Sequence, residues 1–176
     1  MVNVARLARN GSRDSPVVIV GESLGPQESR IPFDGGVGWL VDRVLQEADK
    51  PRDAVFITNV VDWHPRNGYR LTRQDIDFEI PRLRSELKSV SPKLVICLGR
   101  IAATTLRTLY PEARELRWPF TAPRKPIDNG PALLFALHPS AAIRARNKLP
   151  ESEREGYERR YVSSLARALR WSFLGQ

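Results

Sequence analysis

His138 ends the apolar run of LFALHPSAAIR, residues 134–144, and it is one of only two histidines in the chain. An imidazole placed there can donate a hydrogen bond to an atom that gains negative charge. Two other apolar runs stop as abruptly. VVIVGESLGPQESRIPFDGG brings Glu22, Glu28 and Phe33 into one loop, and VFITNVVDWHP supplies Asn59 and then His64. An aromatic face stacks on a nucleobase, and one amide, with its donor and its acceptor, reads a Watson–Crick edge. A carboxylate can orient an attacking water and oppose the positive charge that builds on a sugar. A histidine donor stabilises a base that leaves as an anion. Hydrolytic base excision needs these groups together.

The elements that would bring them together are readable from periodicity. Val17–Gly21, Ala54–Val60, Lys93–Leu98 and Ala132–Leu137 are short apolar runs, as expected for strands buried on both faces. Helical patterns lie between and after them. One spans 37–48, with Leu40, Val41, Val44 and Leu45 on one face. A second starts at Thr72, an N-cap with Asp75 as its capping-box partner, and reaches about Val90, with Pro81 predicting a kink or a split. A third follows Gly99 over 100–109, and a fourth spans 151–173. Residues 110–130 are proline-rich and expected to be irregular, and residues 1–15 are expected to be a loosely ordered basic leader before one domain over 16–176. Alternation of this kind predicts a three-layer α/β/α fold around a central four-stranded parallel sheet. Ligands of such sheets bind outside the carboxyl ends of the strands, which puts the endings after strands one, two and four on a single rim.

Composition narrows the classes. The 176 residues suffice for a real core, and no apolar run is long enough to span a bilayer. The N-terminal sequence lacks the apolar stretch of a secretory signal, so a cytoplasmic monomer without membrane contact is the expectation. Net charge is +8 and the sequence pI is about 10.2, which favours a polyanionic partner such as DNA. Neither GxGxxG nor GxxxxGK[ST] occurs, so nucleotide-cofactor readings lack their glycine loops. Cys97 is the single cysteine and reads as a small core residue. No metal site is expected.

At this point the motifs resemble a known family. GESLGPQESRIPFDGG resembles the first motif of the uracil-DNA glycosylase superfamily, nearest the GEAPG…PFVG form of the branch that carries an iron–sulphur cluster. FITNVVDWHP is similar to that branch's ITNVVKCRP, SPKLVICLGRIAATTL to its PKVIVALGRVAAQ, and ALHPSAAIR to its HPS/HPA motif. The four stand in the family's order over roughly residues 16–170.

The resemblance implies roles. Phe33 stacks on the flipped base, Asn59 reads its edge and His138 supports its O2. Glu22 and Glu28 are the acids of the first loop, one of which positions water. Ser23 stands where the best-known members place an aspartate, and Gly25 where the classical uracil enzymes place a tyrosine that blocks a C5 methyl group. Ser140 matches a serine that contacts a phosphate. Ala141–Arg144 matches the loop that enters the duplex, so Ile143 or Arg144 would fill the space of the flipped base. Arg144, Arg146, Lys148, Arg66 and Arg70 are expected DNA contacts. His64 is expected at the surface, Trp39, Trp118 and Trp171 in the core, and Trp63 in the space a cluster would fill.

Departures accompany the likeness. The iron–sulphur relatives have four cysteines, whereas Asp62-Trp63 stands at the KC position, a later cysteine falls near Glu79, and the upstream pair has no counterpart in this sequence. No cluster and no other cofactor is therefore expected. Leu24 replaces a proline, and the loop from Gly25 to Phe33 is about two residues shorter than in those relatives. The reading is a monofunctional DNA glycosylase, since no lysine falls in a Schiff-base motif, with uracil as the default base. The alternatives are a glycosylase for a 5-substituted or glucosylated base of viral DNA, serving anti-phage defence, and an inactive modified-base-binding protein.

Overall fold

The computed structural model describes residues 10–25, 31–65, 69–124, 127 and 130–174. Five parallel strands form one sheet in the order β2-β1-β3-β5-β4. They are β1 (Val17–Gly21), β2 (Phe56–Asn59), β3 (Leu94–Leu98), β4 (Glu115–Arg117) and β5 (Ala132–Ala136). The helices are α1 (Trp39–Glu47), α2 (Arg73–Val90), α3 (Arg100–Leu109), α4 (Pro139–Asn147) and α5 (Glu151–Phe173).

Strand side chains alternate between two apolar clusters. Val17, Ile19, Ile57, Leu94, Ile96, Ala132 and Leu134 face one cluster, with Val41 and Val44 of α1 and Leu165 and Leu169 of α5. Val18, Val20, Phe56, Val95, Cys97 and Leu133 face the other, with Leu83 and Leu87 of α2 and Ala102 and Leu106 of α3. The sheet is thus covered on both faces, which is why its strands read as unbroken apolar runs. The three-layer architecture is the one expected.

Three details depart from expectation. The sheet has a fifth strand, because Glu115–Arg117 in the proline-rich segment pairs with β5, Glu115 opposite Leu133. Only Leu116 of its three residues packs against the core, so three residues carry too little apolar pattern to be seen. The helix α2 is continuous through Pro81, which is exposed. Thr72 caps it as expected: its hydroxyl accepts from the Asp75 N–H at 3.2 Å, and the Asp75 carboxylate accepts from the Thr72 N–H at 2.7 Å. Residues 10–15, expected at the end of a loose leader, lie along β2. The Ile57 N–H donates to the Asn10 carbonyl at 2.7 Å and the Ser12 N–H to the Asp53 carbonyl at 2.8 Å, covering the open edge of the sheet.

Among the described residues no helix is long and apolar enough to cross a membrane.

Candidate active site

The strand order changes direction beside β1, whose neighbours β2 and β3 lie on opposite sides, and the loops after these strands diverge there. Asn59 ends β2 at the rim, opposite Gly21 of β1. It is 1% exposed, and neither its amide nitrogen nor its amide oxygen has a hydrogen-bond partner among the described residues. Burying an amide unpaired costs about 1–3 kcal/mol per group, which makes Asn59 a candidate for binding a ligand.

Phe33 stands beside it. Its ring is 3% exposed, and its backbone adopts φ 59°, a left-handed conformation that few non-glycine residues take. Gly21 makes the contact between the two possible. A Cβ on Gly21 would lie 2.3 Å from Asn59 Oδ1 and 2.6 Å from Phe33 Cζ. Gly21→Ala is therefore expected to push the amide and the ring apart and to reduce any base excision by at least about tenfold, measured as single-turnover rate, with only modest loss of stability. Phe33 and Asn59 are so enclosed that a base reaches them only by displacing neighbouring groups.

His138 approaches from the other side, with its ring centroid 5.7 Å from that of Phe33. Burial, and next to it the charge of Arg144, hold its pKa down at about 4. The imidazole is thus neutral at neutral pH. His138 is the N-cap of α4, and its Nδ1 accepts from the Ser140 N–H at 3.3 Å and lies 2.9 Å from Ser140 Oγ. With Nδ1 accepting, the ring proton sits on Nε2, where it can be donated. Gly99 after β3 gives the ring its room, because a Cβ there would lie 3.1 Å from that of His138. The Tyr161 hydroxyl donates to the Leu137 carbonyl at 2.7 Å and fixes the chain just before the histidine.

Glu22 is half-buried, and burial raises its pKa while Arg100, at the start of α3, lowers it. Ser23 and Gly25 are half-buried in the same loop, and Leu24 is buried. Glu28 and Arg66 lie outside the described residues.

The DNA-contact expectations divide. The segment after His138 is the helix α4 and not a loop, because Pro139 at its first position and the His138 cap start a helix at once. Ile143 is partly buried and packs against the core cluster. Arg146 Nε lies 3.0 Å from Glu158, which Arg43 also contacts, so its charge is already paired within the fold. Ser140 turns its hydroxyl to His138 rather than outward. Arg70, Arg144 and Lys148 are exposed, as is Arg100, which the motifs did not single out. His64 is exposed as expected, and Trp118 and Trp171 pack against the core, but Trp39 is 39% exposed.

The family model described as the uracil DNA glycosylase superfamily matches residues 8–166. The chain belongs to the uracil-DNA glycosylase superfamily. Relatives named type-4 uracil-DNA glycosylase include that of Pyrobaculum aerophilum, 36% identical over 101 residues, which are 56% of this chain and 52% of the relative. That of Archaeoglobus fulgidus is 31% identical over 102 residues, 57% of this chain and 51% of the relative. That of Thermotoga maritima is 30% identical over 142 residues, 78% of this chain and 71% of the relative. The chain thus spans about half the length of the first two relatives and more of the third.

An iron–sulphur cluster, which the resembled branch implies, does not fit the residues of this superfamily member. Cys97 is its single cysteine, buried in β3 with its thiol pushed up by that burial. Trp63, at one motif position, packs against the second apolar cluster with its ring 6.0 Å from that of Tyr69. Glu79, near another, is buried and paired with Arg82. Neither supplies a thiolate, and among the described residues no three histidine, cysteine or acidic side chains gather as metal ligands.

Proposed function

We propose that this chain is a monofunctional DNA glycosylase that removes uracil from DNA by hydrolysis. The observation that carries the reading is the Asn59 amide, buried and unpartnered beside Phe33. Uracil satisfies both of its atoms: N3–H donates to the amide oxygen, and O4 accepts from the amide nitrogen. Phe33 offers the ring on which the flipped base stacks, and His138 Nε2–H donates to O2.

In this reaction the C1′–N1 bond breaks and its electron pair stays on the base, which leaves as an anion. A water oxygen bonds to C1′, and the proton it sheds passes to a carboxylate or to solvent. Of the two candidate acids, Glu22 is the one among the described residues, and Arg100 keeps part of its anionic character against burial. A neutral histidine donates a hydrogen bond to the leaving base without placing a positive charge beside the developing sugar cation. Arg70, Arg144 and Lys148 supply exposed charge for phosphates, and Leu137, 41% exposed next to His138, is an apolar candidate for filling the space a base vacates. No cofactor enters the proposal.

The test is incubation with duplex and single-stranded oligonucleotides carrying uracil, hypoxanthine, 5-hydroxymethyl-pyrimidines or glucosylated cytosine, followed by alkaline cleavage. Breaks at uracil are expected. Breaks confined to the bulky bases would replace uracil as the substrate, and no breaks on any oligonucleotide would overturn the enzyme reading.

A further inference from the structure

A buried charged cluster lies beside the carboxyl end of β2. Glu79 and Glu86 are buried on the face of α2 that carries Leu83, Leu87 and Val90 into the core. Arg82 sits between them, its Nε 2.5 Å from Glu79 Oε2 and its Nη1 2.9 Å from Glu86 Oε2. Glu86 also accepts from the Thr58 hydroxyl at 2.8 Å. The remaining arm of the guanidinium points at the chain: Nη2 donates to the backbone carbonyls of Asn59 at 2.8 Å and Val60 at 2.6 Å.

A planar fork with five donors can hold two carboxylates and two carbonyls at once, and an ammonium on a flexible stem cannot. Buried ion pairs add little net stability over apolar side chains of the same shape, so stability alone is a weak reason for three charges on a core-facing helix surface. The direction of the two carbonyl bonds supplies a better one. Among the described residues the Asn59 side chain has no hydrogen-bond partner. Its orientation is therefore set by its backbone and by packing, and Arg82 holds that backbone at two consecutive carbonyls.

We propose that Arg82, gripped by Glu79 and Glu86, is a positioning residue that aims the Asn59 amide at the bound base. The proposal deepens the reading of Asn59 as the group that recognises the base edge, and it rests on that reading. Arg82 touches no substrate and acts only through Asn59.

A double-mutant cycle tests it. Arg82→Lys is expected to lower kcat/KM on uracil-containing DNA by at least about tenfold in the parent, yet by less than about twofold when Asn59 is already alanine, as coupled residues require. Arg82→Met/Glu79→Gln/Glu86→Gln carries the same comparison without leaving a buried unpaired charge. Equal losses in both backgrounds overturn the proposal. An Asn59→Ala variant of undiminished activity overturns both it and the reading of Asn59. A second readout needs no catalysis. The side-chain amide resonances of Asn59, identified by their loss in Asn59→Ala, are expected to shift or double in Arg82→Lys. Unchanged resonances overturn the role of Arg82 even if the parent protein cleaves no oligonucleotide, a result that would by itself overturn the proposed function alone.

Discussion

Asn59→Leu is expected to abolish most uracil excision while leaving the free protein as stable as its parent or more so. Leucine nearly matches asparagine in shape but has no polar atoms. In the free protein both amide atoms are buried without partners, so removing them relieves a cost of about 1–3 kcal/mol per unsatisfied group. For two such groups that is about 2–6 kcal/mol, which in a chain of this length, at on the order of 2–4 °C per kcal/mol, raises Tm by several degrees or more. With the base in place the signs reverse. Its N3–H and O4 would then be desolvated against a methyl-bearing side chain, and sites that read a base by hydrogen bonds lose on the order of 10³-fold or more in kcat/KM when that pairing fails. Thermal unfolding and single-turnover excision on one preparation measure both effects. A leucine variant that is strongly destabilised would mean that the amide serves the fold. One that still excises uracil would mean that another group reads the base.

That opposition explains why Asn59 was legible in the sequence. A polar residue closing the apolar run VFITN conflicts with the burial around it, and conflicts of this kind fall at sites of function. His138 stood out in the same way after LFAL. The strands β1, β2, β3 and β5 and the helices α3 and α5 were legible because those strands are buried on both faces and the periods are clean. What followed His138 was not. Only two residues of α4, Pro139 and Ala142, are buried, so its apolar stripe is too narrow to separate helix from loop.

Two glycines were read as strand and helix boundaries, yet Gly21 and Gly99 are the positions where Asn59, Phe33 and His138 approach backbones that they would otherwise strike. A single sequence carries no signal that separates these two uses. Arg82 did leave one. Glu79 and Glu86 fall in the helical stripe of Leu83, Leu87 and Val90, where charge has no place unless it is paired. The pairing partner, at the third residue from one and the fourth from the other, was therefore open to inference. Its grip on the carbonyls of Asn59 and Val60 was not, because that contact joins segments more than twenty residues apart through the backbone, which carries no residue identity.

The second large effect belongs to His138, and it is a statement about pH. Burial first, and Arg144 second, hold its pKa at about 4, against an ordinary value of 6.5. The folded protein thus keeps the imidazole neutral through a range in which the unfolded chain would protonate it. Stability from this source is complete above pH 6.5 and is lost as pH falls toward 4, by on the order of 3 kcal/mol in all. His138→Ala should therefore soften the loss of stability between pH 7 and pH 4, compared by denaturant unfolding at each pH. Excision should show no break near 6.5, and its acid limb from this residue should lie near 4, because Nε2–H is present in the neutral ring across that range. His138→Ala should lower the excision rate by about 10²–10³-fold, the usual loss when one donor to a developing anion is removed. Arg144→Gln removes the charge that opposes protonation, so the His138 ring, followed by its proton resonances in the free protein, should titrate at a higher pH than in the parent. A parent ring that titrates near 6.5 would mean that burial does not hold the imidazole neutral below that pH, and excision would then be expected to change near 6.5.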